Sequence, residues 1–338
     1  MHEFLYRSTQ AKFLLRFLLM GLLLNACVCA ETSEYRALWV TRYELTSTKN
    51  ITKLVQAAAD NNFNTLFIQV CGRGTAFYNS QLIPRDSSAP STDMLAYCLT
   101  EAKKNKIAVH AWVNALYVWS ESTKNIPAKH VVITHPEWLL VSTENTRNKY
   151  LNPEIPEARQ YVRAIVKELT TYPIQGIHLD YIRYPAPYYK DATENAVTLL
   201  VQEIKTDLLS KNILLSAAVV GDPEKARTQY LQNWQAWAES GKLDIIIPML
   251  YDKDTEVVAR QILQVASLAE RSKQRFIIGL GAWRRPPQEV VENILFMRHV
   301  RETLGSPYLT GISLFSYDAL IKQHNYLHRL KDLVFNEN

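Results

Sequence analysis

Two carboxylates of this sequence stand where apolar, β-rich runs come to an end. Asp180 closes the run Gly176–Asp180, and Asp252 follows Pro248-Met-Leu-Tyr. Asp222, directly after a third such run, is a further candidate. Two carboxylates in one cleft suit acetal cleavage, because one donates a proton to the leaving oxygen and the other stabilises or attacks the oxocarbenium-like carbon. Their separation, which decides between retention and inversion, cannot be read from the sequence.

Side chains of the kind that bind sugars accompany these carboxylates. Aromatic rings cover the C–H face of a sugar, while amide and guanidinium groups bond its hydroxyls. The predicted substrate-binding residues are Arg42, Gln69, Arg73, Trp112, Asn114, His178, Tyr181, Arg183, Tyr184, Met249, Tyr251 and Tyr317. We therefore expect a saccharide cleft with Asp180 at its centre and Asp252 as its partner.

The elements that must position these residues alternate between strand and helix from residue 35 onward. The predicted strands are Arg36–Thr41, Thr65–Cys71, Ile107–Val113, Ile174–Asp180, Leu214–Val220, Asp244–Leu250, Phe276–Leu280 and Gly311–Phe315. The predicted helices are Ile51–Asn62, Asp93–Asn105, Pro156–Tyr172, Ala192–Ser210, Pro223–Ser240, Glu256–Ser272, Pro287–Leu304 and Ala319–Phe335. Eight such units in about 300 residues predict an α/β fold, a closed (β/α)8 barrel of the TIM type.

A doubly wound open sheet is the alternative fold, but no Gly-x-Gly-x-x-Gly follows the first strand. In a barrel, the reacting groups sit where the strands end. Because side chains alternate along a strand, His178 and Asp180 are predicted to face the barrel axis, and Ile177 and Leu179 the helices. The long connection from Ala115 to Pro156 is predicted to form a wall of the cleft.

The first thirty residues predict an export signal. A basic head precedes the apolar run Phe17–Leu24, which is shorter than a membrane span. Two cleavage patterns compete: a bacterial lipobox ending at Cys27, which would leave a membrane-anchored lipoprotein, and ordinary cleavage after Ala30, which would leave a periplasmic protein. Residues 31–338 are predicted to form one barrel domain, with membrane contact only through a lipid at Cys27.

Composition excludes several classes of protein. The chain carries 38 basic and 33 acidic residues, a formal net charge of +5. This excess is too small and too dispersed for a nucleic-acid binder. No phosphate loop and no zinc-like cysteine spacing is present, so we expect no cofactor and no metal. The spacing of Cys71 and Cys98 permits a disulfide without requiring one.

Seven sequence blocks follow one another in order over nearly all the chain after the signal. The blocks are Arg36-Ala-Leu-Trp-Val-Thr-Arg42, Gln69-Val-Cys-Gly-Arg-Gly74, Val109-His-Ala-Trp-Val-Asn114, His135-Pro-Glu-Trp138, Tyr150-Leu-Asn-Pro153, Gly176-Ile-His-Leu-Asp-Tyr-Ile-Arg-Tyr-Pro185 and Pro248-Met-Leu-Tyr-Asp252. Together they resemble the signature blocks of the glycosyl-hydrolase-like family ten, formerly domain of unknown function 187. The resemblance implies a TIM-type barrel in exported, often lipid-anchored, bacterial proteins, and peptide-free peptidoglycan glycan as the substrate.

The sequence also departs from related patterns. Glu154 stands where the family often has glycine, and Cys71 replaces a commonly basic residue. The block around Asp180 also resembles the chitinase-type motif Asp-x-Asp-x-Glu, but Ile182 stands at the position of the catalytic glutamate. Two alternatives to a carboxylate glycosidase therefore stay open. One is a cell-envelope barrel that binds glycan without cleaving it, and the other is a metal-dependent hydrolase using His110, His178 and Asp180.

Overall fold

The computed structural model describes residues 34–119, 126–142, 147–184, 186 and 193–336. The predicted export signal, with Cys27 and Ala30, lies outside these residues. From Tyr35 onward the chain forms one compact unit. Within the described ranges no helix is long and apolar enough to cross a membrane.

Eight parallel strands close into a barrel, which confirms the predicted TIM-type fold. They are β1 (Tyr35–Val40), β2 (Thr65–Cys71), β3 (Ala108–Asn114), β6 (Gly176–Asp180), β7 (Leu214–Val220), β8 (Ile245–Leu250), β9 (Arg275–Leu280) and β10 (Leu309–Phe315). Each strand pairs with the next along the chain, and β1 pairs with β10 to close the ring. Because the eight strands are parallel, their carboxyl ends all lie at the same face of the barrel, where TIM-type barrels have their active sites.

Helices surround the barrel and cover its outer face. The long ones are α1 (Thr48–Asp60), α2 (Met94–Lys104), α4 (Pro156–Leu169), α5 (Glu194–Leu208), α8 (Thr255–Ser272) and α9 (Pro287–Leu304), with shorter helices α3 (Val131–Thr134), α6 (Pro223–Tyr230), α7 (Trp234–Glu239), α10 (Tyr317–Leu320) and α11 (Tyr326–Leu330). Side-chain caps begin several of them: Ser47 accepts the N–H of Asn50 at α1, and Asp93 accepts that of Ala96 at α2. Such caps satisfy backbone donors that a helix leaves unpaired.

The strands divide the buried residues into two cores. Ile177 and Leu179 belong to the outer core between strands and helices, as their alternation predicts. A second core fills the barrel interior and contains Ala37, Trp39, Phe67, Trp112, Ala218, Ile245, Ile247 and Ile277. Both faces of each strand are therefore buried, which explains the continuous apolar runs in the sequence.

The structure corrects the sequence-based elements in three places. The predicted helix Pro223–Ser240 is two helices, α6 and α7, because Leu231 adopts a left-handed conformation with φ 51°. The predicted last helix is also broken, with Asn325 left-handed at φ 54° between α10 and α11. A left-handed residue cannot continue a right-handed helix. The connection from Ala115 to Pro156 contains α3 and an antiparallel pair, β4 (Leu139–Val141) and β5 (Arg147–Leu151).

Candidate active site

Asp180 ends β6 at the mouth of the barrel and is the best-defined carboxylate of the site. Its side chain is nearly buried, and its Oδ1 accepts hydrogen bonds from the Tyr181 backbone N–H at 2.6 Å and from the Arg183 guanidinium at 3.2 Å. Among the described residues none donates to Oδ2, so this is the oxygen left for a ligand. Tyr181 itself is left-handed, with φ 49°, a conformation uncommon outside glycine and frequent at functional sites.

Three aromatic rings, Tyr251, Trp283 and Phe315, cluster where β8, β9 and β10 end, and they lie above the buried ring of Trp39 from β1. Tyr251 makes edge-on contacts with Trp283 at 5.0 Å and with Trp39 at 6.4 Å between ring centroids. Phe315 lies 5.3 Å from Trp283 and 5.8 Å from Tyr251. Burial and the neighbouring Asp180 carboxylate raise the pKa of Tyr251 well above its usual value, so the phenol stays a neutral donor. These rings offer an apolar surface beside a carboxylate.

A polar network connects β1, β2 and β3 on the opposite side of the mouth. The Arg42 guanidinium donates to the Gln69 side-chain oxygen at 3.1 Å, and the Gln69 amide donates to Asn114 Oδ1 at 3.2 Å. Asn114 Oδ1 also accepts from Trp112, and Asn114 lies directly opposite Asp180 in the strand register. Gly72 leaves room for this arrangement, since a Cβ there would lie 2.9 Å from the Arg42 side chain. The network therefore fixes the groups beside Asp180.

His178 faces the barrel axis as predicted, but it lies below the mouth and is fully buried. Trp39 Nε1 donates to His178 Nε2 at 2.9 Å, and His178 Nδ1 lies 3.0 Å from the Ser216 hydroxyl. Because indole N–H can only donate, His178 must carry its proton on Nδ1 and bond Ser216 through it. Burial holds the pKa of His178 well below its usual value. Both ring nitrogens are thus occupied, and the residue supports the barrel interior rather than a ligand.

His110 is also buried inside the barrel, where its ring meets Phe67 edge-on at 5.1 Å. Burial lowers the pKa of His110 to about 4, and its Nδ1 makes no hydrogen bond. No group of three or more histidine, cysteine, aspartate or glutamate side chains within the described part of the chain is placed to hold a metal ion. His178 uses both ring nitrogens for protein partners, so in this arrangement it is not free to bind a metal ion together with His110 and Asp180.

The other two predicted carboxylates lie in different surroundings. Asp252 is exposed two residues beyond β8, and its Oδ1 accepts the backbone N–H of Asp254 at 2.9 Å. Asp222 is exposed at the start of α6, where it accepts the backbone N–H of Lys225 at 2.9 Å as the helix cap. Asp222 also lines a groove on the outer face with Trp234 and Arg271. The structure therefore does not bring Asp222 into the aromatic mouth.

The remaining predicted residues divide between mouth and core. Tyr181 and Arg183 stay at the mouth, with the Arg183 guanidinium 4.8 Å from the centre of the Tyr181 ring. Met249 packs at the top of the interior core. Arg73, half-buried in the loop after β2, provides its carbonyl to the His130 ring. Tyr317, in contrast, is buried in the outer core, 4% exposed, because α10 turns its side chain away from the mouth.

A pocket beside Asp180 contains residues that the sequence analysis missed. Its volume is about 240 Å³, and its lining consists of Tyr150, Tyr181, Arg183, Tyr184, Val220, Lys225 and Tyr230. We call it the tyrosine pocket. Tyr117, which is not part of the lining, stacks on Tyr181 at 4.9 Å and meets Tyr150 in a tilted contact at 5.1 Å. Trp283 was also missed, although it is an aromatic residue three positions after the end of β9, and aromatic residues near strand ends are candidates for sugar binding.

Cys71 and Cys98 are both free and buried. Burial raises the pKa of the Cys71 thiol and of the Cys98 thiol to about 12. They therefore provide no disulfide to this fold, and each behaves as a small apolar residue of the outer core.

A TIM-type barrel with a carboxylate beside aromatic rings at its mouth is an arrangement that suits a glycoside hydrolase. Comparison with known proteins agrees with this class. The chain matches the family described as Glycosyl hydrolase-like 10 over residues 34–214 and belongs to it. Glycosyl hydrolase DigH of Escherichia coli K12 is 24% identical, over 77% of this chain and 73% of DigH.

Solved structures share the fold. The α-L-fucosidase isoenzyme 2 of Paenibacillus thiaminolyticus superposes with a TM-score of 0.61 at 12% identity, over 89% of this chain and 49% of that one. An endo-β-1,4-mannanase of Thermotoga petrophila gives 0.57 at 12% identity, over 85% and 68%. At such low identity these structures support the barrel architecture alone.

Proposed function

We propose that this protein is a glycoside hydrolase that cleaves glycosidic bonds in bacterial cell-wall glycan. The observation that carries the proposal is Asp180, held at Oδ1 by Arg183 and a backbone N–H while Oδ2 stays available at the mouth. A rigid carboxylate of this kind can stabilise or attack the oxocarbenium-like carbon of a bound sugar. Membership of a glycosyl hydrolase-like family supports the same reaction.

A proton donor for the leaving oxygen is the second requirement. Asp252 follows β8 at the same face of the barrel, and its exposure gives it access to a bound glycan. Tyr251, whose pKa is raised by burial and by the charge of Asp180, is a neutral phenol and can hydrogen-bond a sugar hydroxyl or amide. We assign the proton donor to Asp252 and a positioning role to Tyr251.

The substrate and the location belong to the same proposal. The motif resemblance supports peptide-free peptidoglycan glycan, and the apolar segment Phe17–Leu24 supports export from the bacterial cytoplasm. The aromatic rings at the mouth provide faces on which sugar rings can pack. A lipid at Cys27 would hold the enzyme at a membrane close to the cell wall.

The proposal is tested by measuring new reducing ends released from peptide-free glycan. The wild type is expected to release them, while Asp180→Asn, which keeps the shape of the side chain, should lose activity by about 10²- to 10⁴-fold. Asp222→Asn is the matched control, because asparagine caps a helix as well as aspartate does. Equal loss in both variants, or full activity of Asp180→Asn, would contradict the proposal.

A glycan-binding barrel without catalysis is the second candidate. The observation that favours it is Ile182, which is fully buried where a chitinase-type motif has its acid. Tight binding of the same glycan by the wild type, without any released ends on long incubation, would establish this function instead.

A further inference from the structure

The tyrosine pocket combines flat aromatic walls with positive charge. Tyr117 stacks on Tyr181 with 4.9 Å between ring centroids, and it contacts Tyr150 at 5.1 Å with the two ring planes tilted by 57°. Because the rings contact one another, little side-chain entropy is lost when a ligand packs on them. Tyr181 also connects the pocket to the reaction centre, since its backbone N–H donates to Asp180. The pocket therefore adjoins Asp180 through Tyr181 and Arg183, which are in its lining.

The cations of the pocket are Arg183 and Lys225, and none of its lining residues is acidic. Arg183 is partly neutralised, because it pairs with Asp180 at 3.2 Å. Lys225 lies exposed on α6, and among the described residues no carboxylate pairs with its ammonium group. Asp222, three residues before Lys225, caps α6 with its side chain, and Glu154, whose charge acts on Tyr184 of the lining, bonds the Thr193 hydroxyl. Lys225 thus leaves one positive charge available to a ligand.

We propose that the tyrosine pocket is a subsite for a sugar unit that bears a carboxylate, with the tyrosines against the ring and the Lys225 ammonium on the carboxylate. This inference rests on the proposed function and adds a specificity to it. A muramic acid unit without peptide has a free lactyl carboxylate, whereas attachment of a peptide converts that carboxylate to a neutral amide. Uronic acids carry the same charged group. The pocket would therefore favour glycan from which the peptides have been removed.

Monosaccharides test the pocket without any bond to hydrolyse. We would titrate N-acetylmuramic acid, its carboxamide, N-acetylglucosamine and glucuronic acid into the wild type, Lys225→Gln and Lys53→Gln, following binding by NMR. Lys53 is the matched control because it is an exposed helical lysine on α1. The wild type should bind N-acetylmuramic acid about fivefold more tightly than its carboxamide, because one exposed ion pair changes an affinity by about this factor. Lys225→Gln should abolish this ratio, and Lys53→Gln should keep it.

The outcomes separate this inference from the proposed function. Equal affinity for acid and carboxamide, or a ratio that survives in Lys225→Gln, overturns the subsite even if glycan is cleaved. If the wild type shows the expected ratio of affinities but cleaves no glycan, the subsite is supported and the proposed hydrolase function is overturned. Equal affinity for glucuronic acid and N-acetylmuramic acid supports a carboxylate subsite and overturns its assignment to wall glycan. The ratio should also fall with added salt, because exposed charges are screened.

Discussion

Acidification from pH 7 to pH 5 should destabilise this fold through the histidines inside the barrel. Burial lowers the pKa of His110 to about 4 and that of His178 in the same direction. In the unfolded chain a histidine has a pKa of about 6.5. Between these pH values the unfolded state binds protons that the folded state does not. The contribution of the neutral histidines to the free energy of unfolding is therefore complete above about pH 6.5 and is lost as the pH falls toward 4.

The size of the loss follows from the displacement of the pKa. At pH 5 the unfolded His110 is almost fully protonated and the folded one is neutral, which costs about 2 kcal/mol at 1.36 kcal/mol per pKa unit. For a domain of about 300 residues, this corresponds to a melting temperature lower by about 3 °C. His178 adds a loss of the same sign.

Calorimetric melting of the wild type and His110→Phe at pH 7 and pH 5 measures this effect. His110 Nδ1 makes no hydrogen bond, so an apolar ring loses no partner there. The variant should lose less stability on acidification than the wild type, by about 2 kcal/mol. His299→Asn, an exposed position on α9, controls for the loss of a histidine as such. An unchanged pH dependence in His110→Phe would refute the reasoning.

Two further predictions concern the mouth and the layer below it. Trp283→Ala removes a ring that contacts Tyr251 and Phe315. This substitution should raise the KM for glycan about three- to tenfold in steady-state kinetics. An unchanged KM would mean that the sugar does not pack on this ring. Ser216→Ala leaves the buried Nδ1–H of His178 unpaired, and should cost about 1–3 kcal/mol in urea unfolding. If Ser216→Ala is as stable as the wild type, the inferred tautomer of His178 is wrong.

Much of the barrel could be predicted from the sequence because its strands are uniform in pattern. The limits of β2 and β7 agree with the predicted ones, and those of the other barrel strands differ by at most two residues. Alternation along β6 also predicted that His178 and Asp180 share the inner face, which the contacts of His178 with Trp39 and Ser216 confirm. Alternation within a strand is a local pattern, and the repeated order of strand and helix is typical of parallel units, so one sequence was sufficient for both.

The candidate site was only partly predictable, because depth and helix breaks depend on tertiary packing. Alternation along a strand predicts which face a side chain points to, but not its depth along the barrel axis. His178 was therefore predicted to bind substrate, although it lies below the mouth, bonded to Trp39 and Ser216. Tyr317 follows β10 as Tyr181 follows β6, yet α10 turns it into the outer core. The tyrosine pocket was missed because its residues come from separate segments, including β5, the loop after β6 and α6.

The most direct test of the central claim is to incubate the wild type and Asp180→Asn with peptide-free wall glycan in H₂¹⁸O and to analyse the products by mass spectrometry. If Asp180 drives hydrolysis at the barrel mouth, each new reducing end formed by the wild type will carry one ¹⁸O, and Asp180→Asn will form almost none. Glycan that is bound but recovered intact from the wild type, or labelled ends that form equally fast with Asp180→Asn, would contradict the account.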